Sequence, residues 1–511
     1  MTQTQVPLKD TIQSEQNSRP KWLPITSIII LAACLYFYQL GTESLWIDEL
    51  YSIEDAQKGI PELLSTSTRP AYYILLHVWM LFGTDEAWLR GLSVIFALVT
   101  IFLVYKLGSH LIDDSVGLLA AGLMTLSPIF INHAQEVRMY GLSNCLCLGG
   151  TLALSITLER IRAASLISWL VLRILAVLTT PLNIFLLIPD GILWLWKLRK
   201  HRQVMIIFAL AGLGLVGLSL FWIYLQWESI FSYFQDWSSG QPKPGIANVI
   251  ARLTSFTARW PLRTVSSPLS HFYKLYTVML VGILGFSFTF VNPKYNPKVF
   301  RLAAWAFLPA GALLTISWLL SPIWLPRYLL FVAPYLLILL AAGFLGIWRK
   351  QRKLAIVITL MYIFAMGAGL ENYYSSSVAY RANWRGVTQM IAQEEQPGDV
   401  LAAIISHSRP SLALKHYYQN HQGSLAINVV DNCEGKNSEK ESCQGVENTL
   451  ESLPAFDSRL WLVYLDTTAS AEELENFQQK VKEAFQVDKQ QTFNSDLGVK
   501  NDIEVFLLSP K

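Results

Sequence analysis

Apolar residues run almost unbroken for about 17–25 positions at a time through roughly the first 370 residues, and a run of that length crosses the hydrocarbon core of a bilayer as a helix. Such runs lie near 23–41, 86–107, 115–132, 140–158, 166–180, 182–198, 204–225, 273–291, 301–320, 328–348 and 354–370, which predicts about eleven transmembrane helices. Between 165 and 198 the pattern is weakest, because Pro181 interrupts a continuous apolar stretch that also holds Arg173 and Asp190. One broken helix or two short spans both fit there. The run PAYYILLHVWMLFG is too short for a span and reads as an interfacial helix, with Tyr72, Tyr73 and Trp79 at headgroup level. Trp227, Trp237 and Trp260 mark the long loop 226–272 as a second segment on the membrane surface.

From Glu371 onward the texture is that of a soluble α/β domain. Stretches rich in β-formers at 399–405, 425–430, 460–465 and 503–508 alternate with helical patterns at 383–393, 410–418 and 471–485. The chain thus divides into a tail 1–22, a membrane part 23–370 and a soluble part 371–511. No phosphate-binding glycine loop and no metal-ligand spacing stands in the last part.

Composition agrees with a membrane solvent. Of the residues, 52% are hydrophobic, 12% aromatic and 15% charged, against about 25% charged in soluble proteins. The net charge of +3 hides a split. Acids exceed bases by roughly eight after Glu371, so the membrane part is basic by roughly eleven. That positive charge falls on alternate short loops: Arg160 with Arg162, the LRKHR cluster, Lys294 with Lys298 and Arg301, and the RKQRK cluster. These loops are expected in the cytoplasm with the N-terminus, and the remaining loops and the C-terminal part outside, in a multi-pass plasma (inner) membrane protein. No single basic face offers itself to nucleic acid. The first run has no small-x-small cleavage site after it and is read as an anchored span, not a removed signal peptide. Cys34, Cys145 and Cys147 sit in apolar runs as buried or lipid-facing thiols. Cys433 and Cys443 flank a polar loop of the outward part, where a disulfide is expected.

The outward loops carry the polar residues that could do chemistry. In GTESLWIDELYSIEDA, Asp48 and Glu49 stand side by side. Asp48 has Trp46 and Ile47 before it and Leu50 and Tyr51 after it, an apolar frame that would strengthen a carboxylate as a general base; acids also simply favour helix starts. The short loop 132–140 holds His133, Gln135, Glu136, Arg138 and Tyr140. A guanidinium fork suits a phosphate, so Arg138 and, before the tenth span, Arg327 are anion-binding candidates; lipid headgroups are the alternative partners of both. Arg173 and Asp190 lie at membrane depth, where snorkelling, mutual pairing or chemistry would explain them.

The runs LWIDELYS, RPAYYILLHVWMLFGTDEAWLRGLS and GLLAAGLMTLSPIFINHAQEVRMYG resemble the opening third of the GT-C membrane glycosyltransferases. The resemblance is nearest to the bacterial relatives of protein O-mannosyltransferases and of the lipid A aminoarabinose transferase, a glycosyltransferase family 39-like group. It is clear over residues 40–150, weaker around PRYLLFVAPY and absent from the soluble part. It implies transfer of a sugar from a polyprenyl-phosphate donor to a glycan, lipid or protein acceptor at the outer face, with inversion by single displacement. Asp48 then corresponds to the general base, Glu49 to its acidic neighbour, and Arg138 to the arginine of an Arg-Met-Tyr element. Arg69, Tyr72, Glu136, Tyr140 and Arg327 join Arg138 as expected substrate-binding residues. Where relatives commonly carry His-Pro-Pro-Leu-Tyr, this chain has Thr68, Arg69, Pro70, Ala71 and Tyr72, and Arg69 offers a phosphate contact of its own. A sugar leaving from a lipid phosphate needs no nucleotide fold. A divalent metal is compatible with the acids, though no ligand cluster demands one. A secondary transporter or lipid flippase is the main rival reading, and a receptor with the soluble part as sensor is a third; no internal repeat supports the former.

Overall fold

Membrane helices must satisfy every backbone group within themselves, and the apolar runs obey that constraint by forming helices over most of their described residues. The structure is a computed structural model that describes residues 22–198, 202–227, 243–258, 267–289, 296–320, 323–375, 382–405, 411–431, 450, 453–465, 471–493 and 502–511. In chain order the helices are α1 (Leu23–Phe37), α2 (Ile47–Gln57), α3 (Ile60–Thr66), α4 (Pro70–Met80), α5 (Glu86–Leu111), α6 (Asp114–Leu126), α7 (Pro128–Ala134), α8 (Tyr140–Glu159) and α9 (Ala163–Thr179). They continue with α10 (Leu187–Leu198), α11 (Arg202–Leu225), α12 (Ile246–Thr257), α13 (Ser267–Thr289), α14 (Asn296–Leu319), α15 (Ala333–Lys350) and α16 (Arg352–Ser375).

Among the described residues six helices are long and apolar enough to cross a membrane. A seventh span arises if α6 and α7 count as one, bent by 67°. Pro128 causes that bend: it opens α7, and its ring nitrogen has no hydrogen to continue the ladder of α6. Leu23–Phe37 and Ala163–Thr179 are shorter apolar helices, and Ala209–Leu225 is an apolar part of α11. The expected count of about eleven therefore exceeds what helix length supports here. Two of the expected spans meet at Pro181, where a 3-10 turn, Pro181–Leu186, separates α9 from the 12-residue α10. Lipid-facing surfaces are apolar, as at Ile30, Leu210, Val278 and Leu360, which are all more than half exposed.

Helices α5 and α6 meet almost backbone to backbone. A Cβ on Gly108 would lie 2.8 Å from the Cα of Gly117, so only hydrogen fits at this crossing. The two charges at membrane depth find each other instead of snorkelling. Arg173 Nε donates to Asp190 Oδ2 at 2.7 Å and its Nη2 to Oδ1 at 3.2 Å, while Nη1 donates to the Cys147 carbonyl and Nη2 to Thr151 Oγ1, each at 2.8 Å. The indoles of Trp169 and Trp305 donate to the two Asp190 oxygens, each at 2.8 Å. One fully buried ion pair thereby ties α8, α9, α10 and α14 together.

The tyrosines of the short helix α4 pack into the protein. Tyr72 and Tyr73 are buried against the protein, whereas Val78, Leu81 and Phe82 at its far end are exposed. Trp79 stacks on Trp88 with ring centroids 4.4 Å apart, and each indole donates to the other residue's carbonyl, which fixes α4 to α5.

After α16 come α17 (Trp384–Glu394), β1 (Val400–Ile405), α18 (Ser411–Asn420), β2 (Ile427–Asp431), β3 (Leu460–Leu465), α19 (Ala471–Ala484), β4 (Gln486–Phe493) and β5 (Ile503–Ser509). The strands form one sheet in the order β2-β1-β3-β5-β4. β1 runs parallel to β2 and β3, and β5 antiparallel to β3 and β4. Strand β4, QVDKQQTF, is absent from the expected elements because it is an edge strand of mostly polar residues. The sheet unit touches the membrane part through its helices. The Tyr417 hydroxyl accepts from the Leu45 backbone N–H and donates to Glu86 Oε1, each at 2.6 Å. Arg385 pairs with the same Glu86 and donates to the Gly41 carbonyl. The C-terminal unit therefore sits on the side of the membrane part that carries α2. Cys433, Cys443, Trp237, Trp260 and Lys294 lie outside the described residues.

Breaking a buried ion pair costs more than removing it whole. Arg173→Leu is expected to destabilise the protein in detergent by about 3–5 kcal/mol, seen as a fall in melting temperature, while Arg173→Leu with Asp190→Leu recovers most of the loss. Equal stability of the single and double variants would contradict this account of the pair.

Candidate active site

The site begins at the N-terminus of α2. Glu49 stands third in this helix and reaches back to accept the Trp46 backbone N–H at 3.2 Å, closing the first turn. Its carboxylate is fully buried and does more than cap. Arg90 Nε and Nη2 grip its two oxygens at 2.9 and 3.0 Å, and the Val137 backbone N–H donates to Oε1 at 2.8 Å. The other hydrogens of Arg90 go to the carbonyls of Leu40, Glu43 and Ser44. This buried pair thus joins the first loop, α5 and the loop before α8.

Arg138 follows immediately after the Val137 anchor. Its carbonyl accepts from Ser93 Oγ at 3.1 Å, and its Nη1 donates to the Asp48 carbonyl at 2.9 Å and to Ser52 Oγ at 3.0 Å. Being only 7% exposed, it faces protein groups and not lipid headgroups. Its Nη2 lies 3.7 Å from Asp48 Oδ2, and Arg327 Nη1, brought in by the 3-10 turn Pro326–Leu329, lies 3.5 Å from the same oxygen. The Asp48 side chain remains 25% exposed. Two guanidiniums face its carboxylate, in place of the apolar frame its sequence neighbours imply.

A cavity of about 410 Å³ adjoins this cluster, and its lining includes Arg69, Tyr140, Arg327, Leu182, Phe185 and Phe331. Arg69 caps α4 just before Pro70. Apolar walls with a pair of arginines suit an amphiphile with an anionic head. Glu136 does not line this cavity. It is buried, accepting from Asn132 Nδ2 at 2.9 Å and lying 3.0 Å from His133 Nδ1, and the His133 ring packs against Tyr140 with centroids 4.6 Å apart. Tyr72 is also buried outside the lining, edge-on to Tyr73. Gln135 fastens the same loop from behind, donating to the carbonyls of Tyr36 and Tyr38 and accepting from the Tyr373 hydroxyl.

The residues expected from sequence fall into three sets, with Arg327 in two of them. Asp48, Arg138 and Arg327 meet; Arg69, Tyr140 and Arg327 line the cavity; Glu49, Glu136 and Tyr72 are buried supports. Arg90, Ser52, Ser93, Asn144 and Asn183 were not singled out by the sequence. The signal for Arg90 was available, since an arginine inside an apolar run calls for a partner. Among the described residues no group of three or more His, Cys, Asp or Glu side chains could hold a metal ion. A divalent metal at Asp48 would share that carboxylate with the two guanidiniums that face it.

No protein-family model and no curated protein sequence matches the chain. Solved structures do. ArnT from Cupriavidus metallidurans bound to undecaprenyl phosphate superposes with a TM-score of 0.54 at 13% identity, covering 96% of this chain and 98% of that one. The apo state of the same enzyme gives 0.53 at 13% identity, over 94% and 97%. The oligosaccharyltransferase of Archaeoglobus fulgidus in its apo form gives 0.50 at 12% identity, over 91% of this chain and 69% of its own. Over nearly its whole length the chain has the fold of the GT-C membrane glycosyltransferases.

Proposed function

We propose that this protein transfers a sugar from a polyprenyl-phosphate donor to a hydroxyl or amine of a glycan, lipid or protein acceptor at the outer face of the membrane. The observation that carries this reading is the placement of one partly exposed carboxylate, Asp48, against Arg138 and Arg327, beside an apolar cavity that also holds Arg69. The first of the structural neighbours is described as bound to undecaprenyl phosphate, which is a ligand of that character.

In the reaction so read, the acceptor oxygen or nitrogen attacks the anomeric carbon while the bond from that carbon to the phosphate oxygen breaks. The lipid phosphate departs with the bonding electrons, and one displacement inverts the anomeric centre. Asp48 takes the acceptor proton. Arg69 and Arg327 stabilise the charge that develops on the leaving phosphate, and Arg138 holds Asp48 in place through its carbonyl and Ser52. Glu49 acts at one remove, since its buried carboxylate fixes the loops and does not reach substrate. The parity of the basic loops supports the N-terminus in the cytoplasm and the C-terminal unit, 371–511, outside. There Cys433 and Cys443 would form a disulfide.

Two outcomes are expected. Asp48→Asn lowers transfer from an undecaprenyl-phosphate sugar by about 10²–10⁴-fold, with the protein inserted and abundant. Full activity in that variant would remove Asp48 as base, and transport of the intact donor without chemical transfer would favour a flippase. Reporter fusions after Lys200 and after Lys511 are expected on opposite sides of the membrane; the same side for both would refute an odd number of crossings.

A further inference from the structure

The segment that carries the chain from α1 into α2, residues 38–46, has no helix or strand of its own, so side chains from elsewhere fix much of its backbone. They come from two directions. On the membrane side, Arg90 takes the carbonyls of Leu40, Glu43 and Ser44, and Glu49 takes the Trp46 N–H. Further bonds come from the C-terminal unit. Arg385, at the start of α17, donates from Nη2 to the Gly41 carbonyl at 3.2 Å and from Nη1 to the Thr42 carbonyl at 3.5 Å, and its backbone N–H donates to Ser44 Oγ at 3.3 Å. Tyr417, on α18, accepts from the Leu45 N–H at 2.6 Å. Both residues also end on one carboxylate, that of Glu86 in the first turn of α5. The Tyr417 hydroxyl donates to Glu86 Oε1 at 2.6 Å, and Arg385 pairs with Oε2. That Oε2 stands 4.0 Å from Arg90 Nη1, one turn along α5. A single network therefore runs from α17 and α18 through Glu86, Arg90 and Glu49 to the Val137 N–H beside Arg138.

We infer that the C-terminal unit completes the active site, with Arg385 and Tyr417 as positioning residues that hold segment 38–46 and so fix Asp48, three residues beyond Leu45. This rests on the reading of Asp48 as the base. Neither residue touches substrate in that reading: the cavity lining that holds Arg69 and Arg327 includes neither of them, nor Glu86. Leu45 is 1% exposed, so its N–H finds no water when the Tyr417 hydroxyl is removed, and the segment has to shift to satisfy it. A displacement of about 1 Å at a reacting group costs on the order of 10²-fold in rate. Affinity for the lipid phosphate depends on the cavity and is untouched. A contact that only joined the two units would lower stability and leave the turnover of folded protein unchanged.

The test compares full-length wild-type protein in detergent with Tyr417→Phe, which removes only the hydroxyl, and with Arg385→Gln. Amide hydrogen exchange over residues 40–52, affinity for undecaprenyl phosphate, and kcat and KM for transfer from undecaprenyl-phosphate hexose and pentose are read on each. Each variant is expected to speed exchange of this segment about tenfold or more, with exchange in α8 and α15 unchanged. Its kcat is expected to fall about 10–10²-fold, with KM and affinity for undecaprenyl phosphate within about twofold of wild type. Melting temperatures identify a variant that is merely unfolded, and Arg385→Gln, at a partly exposed side chain, carries the test if Tyr417→Phe is. Wild-type exchange and kcat in both variants overturn the positioning role. A matched loss of kcat and lipid affinity overturns it too, since the cavity itself is then distorted. If wild-type protein binds undecaprenyl phosphate but accepts neither sugar, exchange decides: faster exchange in the variants supports the brace, and unchanged exchange overturns it. If wild-type protein neither binds the lipid nor transfers either sugar, the donor-site reading falls and the role in transfer with it.

Discussion

Everything in the site hangs from the carboxylate of Glu49. It has no solvent-exposed surface, and it holds together four pieces of backbone that the chain delivers separately: the start of α2, the segment around Leu40 to Ser44 by way of Arg90, the first turns of α5, and the turn before α8. A buried ion pair contributes little net stability, because desolvation offsets most of the attraction. What it supplies is geometry. With Arg90 satisfied by five acceptors and Glu49 by four donors, Asp48 and Arg138 have few ways to move relative to each other. The same logic recurs inside the membrane, where Asp190 collects Arg173 and two indoles and so makes a rigid floor under the Pro181 break. Polar groups in this protein sit where helices have to be kept in register, at the loop layer and at the broken helix.

Much of this was legible in the sequence, for identifiable reasons. Apolar run length shows helices directly, since helix and bilayer share one length scale. Loop parity put Asp48, Arg138, Arg327 and the C-terminal unit on one side, and the structure brings the three side chains within 3.7 Å of a common oxygen or closer. The number of crossings was less legible: a proline in an apolar run leaves composition unchanged but cuts the helix, as at Pro181. Pattern did not show that Tyr72 and Tyr73 are buried against the protein, because an amphipathic tyrosine serves equally at a headgroup or in a protein interior. Strand β4 was invisible since an edge strand in water needs no apolar alternation.

The acid pair shows a different limit. Two adjacent carboxylates read alike in a sequence, but neighbouring positions on a helix point about 100° apart and meet different partners. Asp48 looks toward the cavity side and two arginines; Glu49 turns inward to Arg90.

The bond from the Leu45 N–H to the Tyr417 hydroxyl spans 372 positions of sequence. Leu45 is three residues before Asp48, so the loop that presents the base is braced by a side chain the ribosome adds near the end of the chain. During synthesis the first loop is already in place while its brace does not yet exist. The loop that presents Asp48 therefore gains this brace only after every residue of the membrane part has been made, and its mobility before then is limited by Glu49 and Arg90 alone.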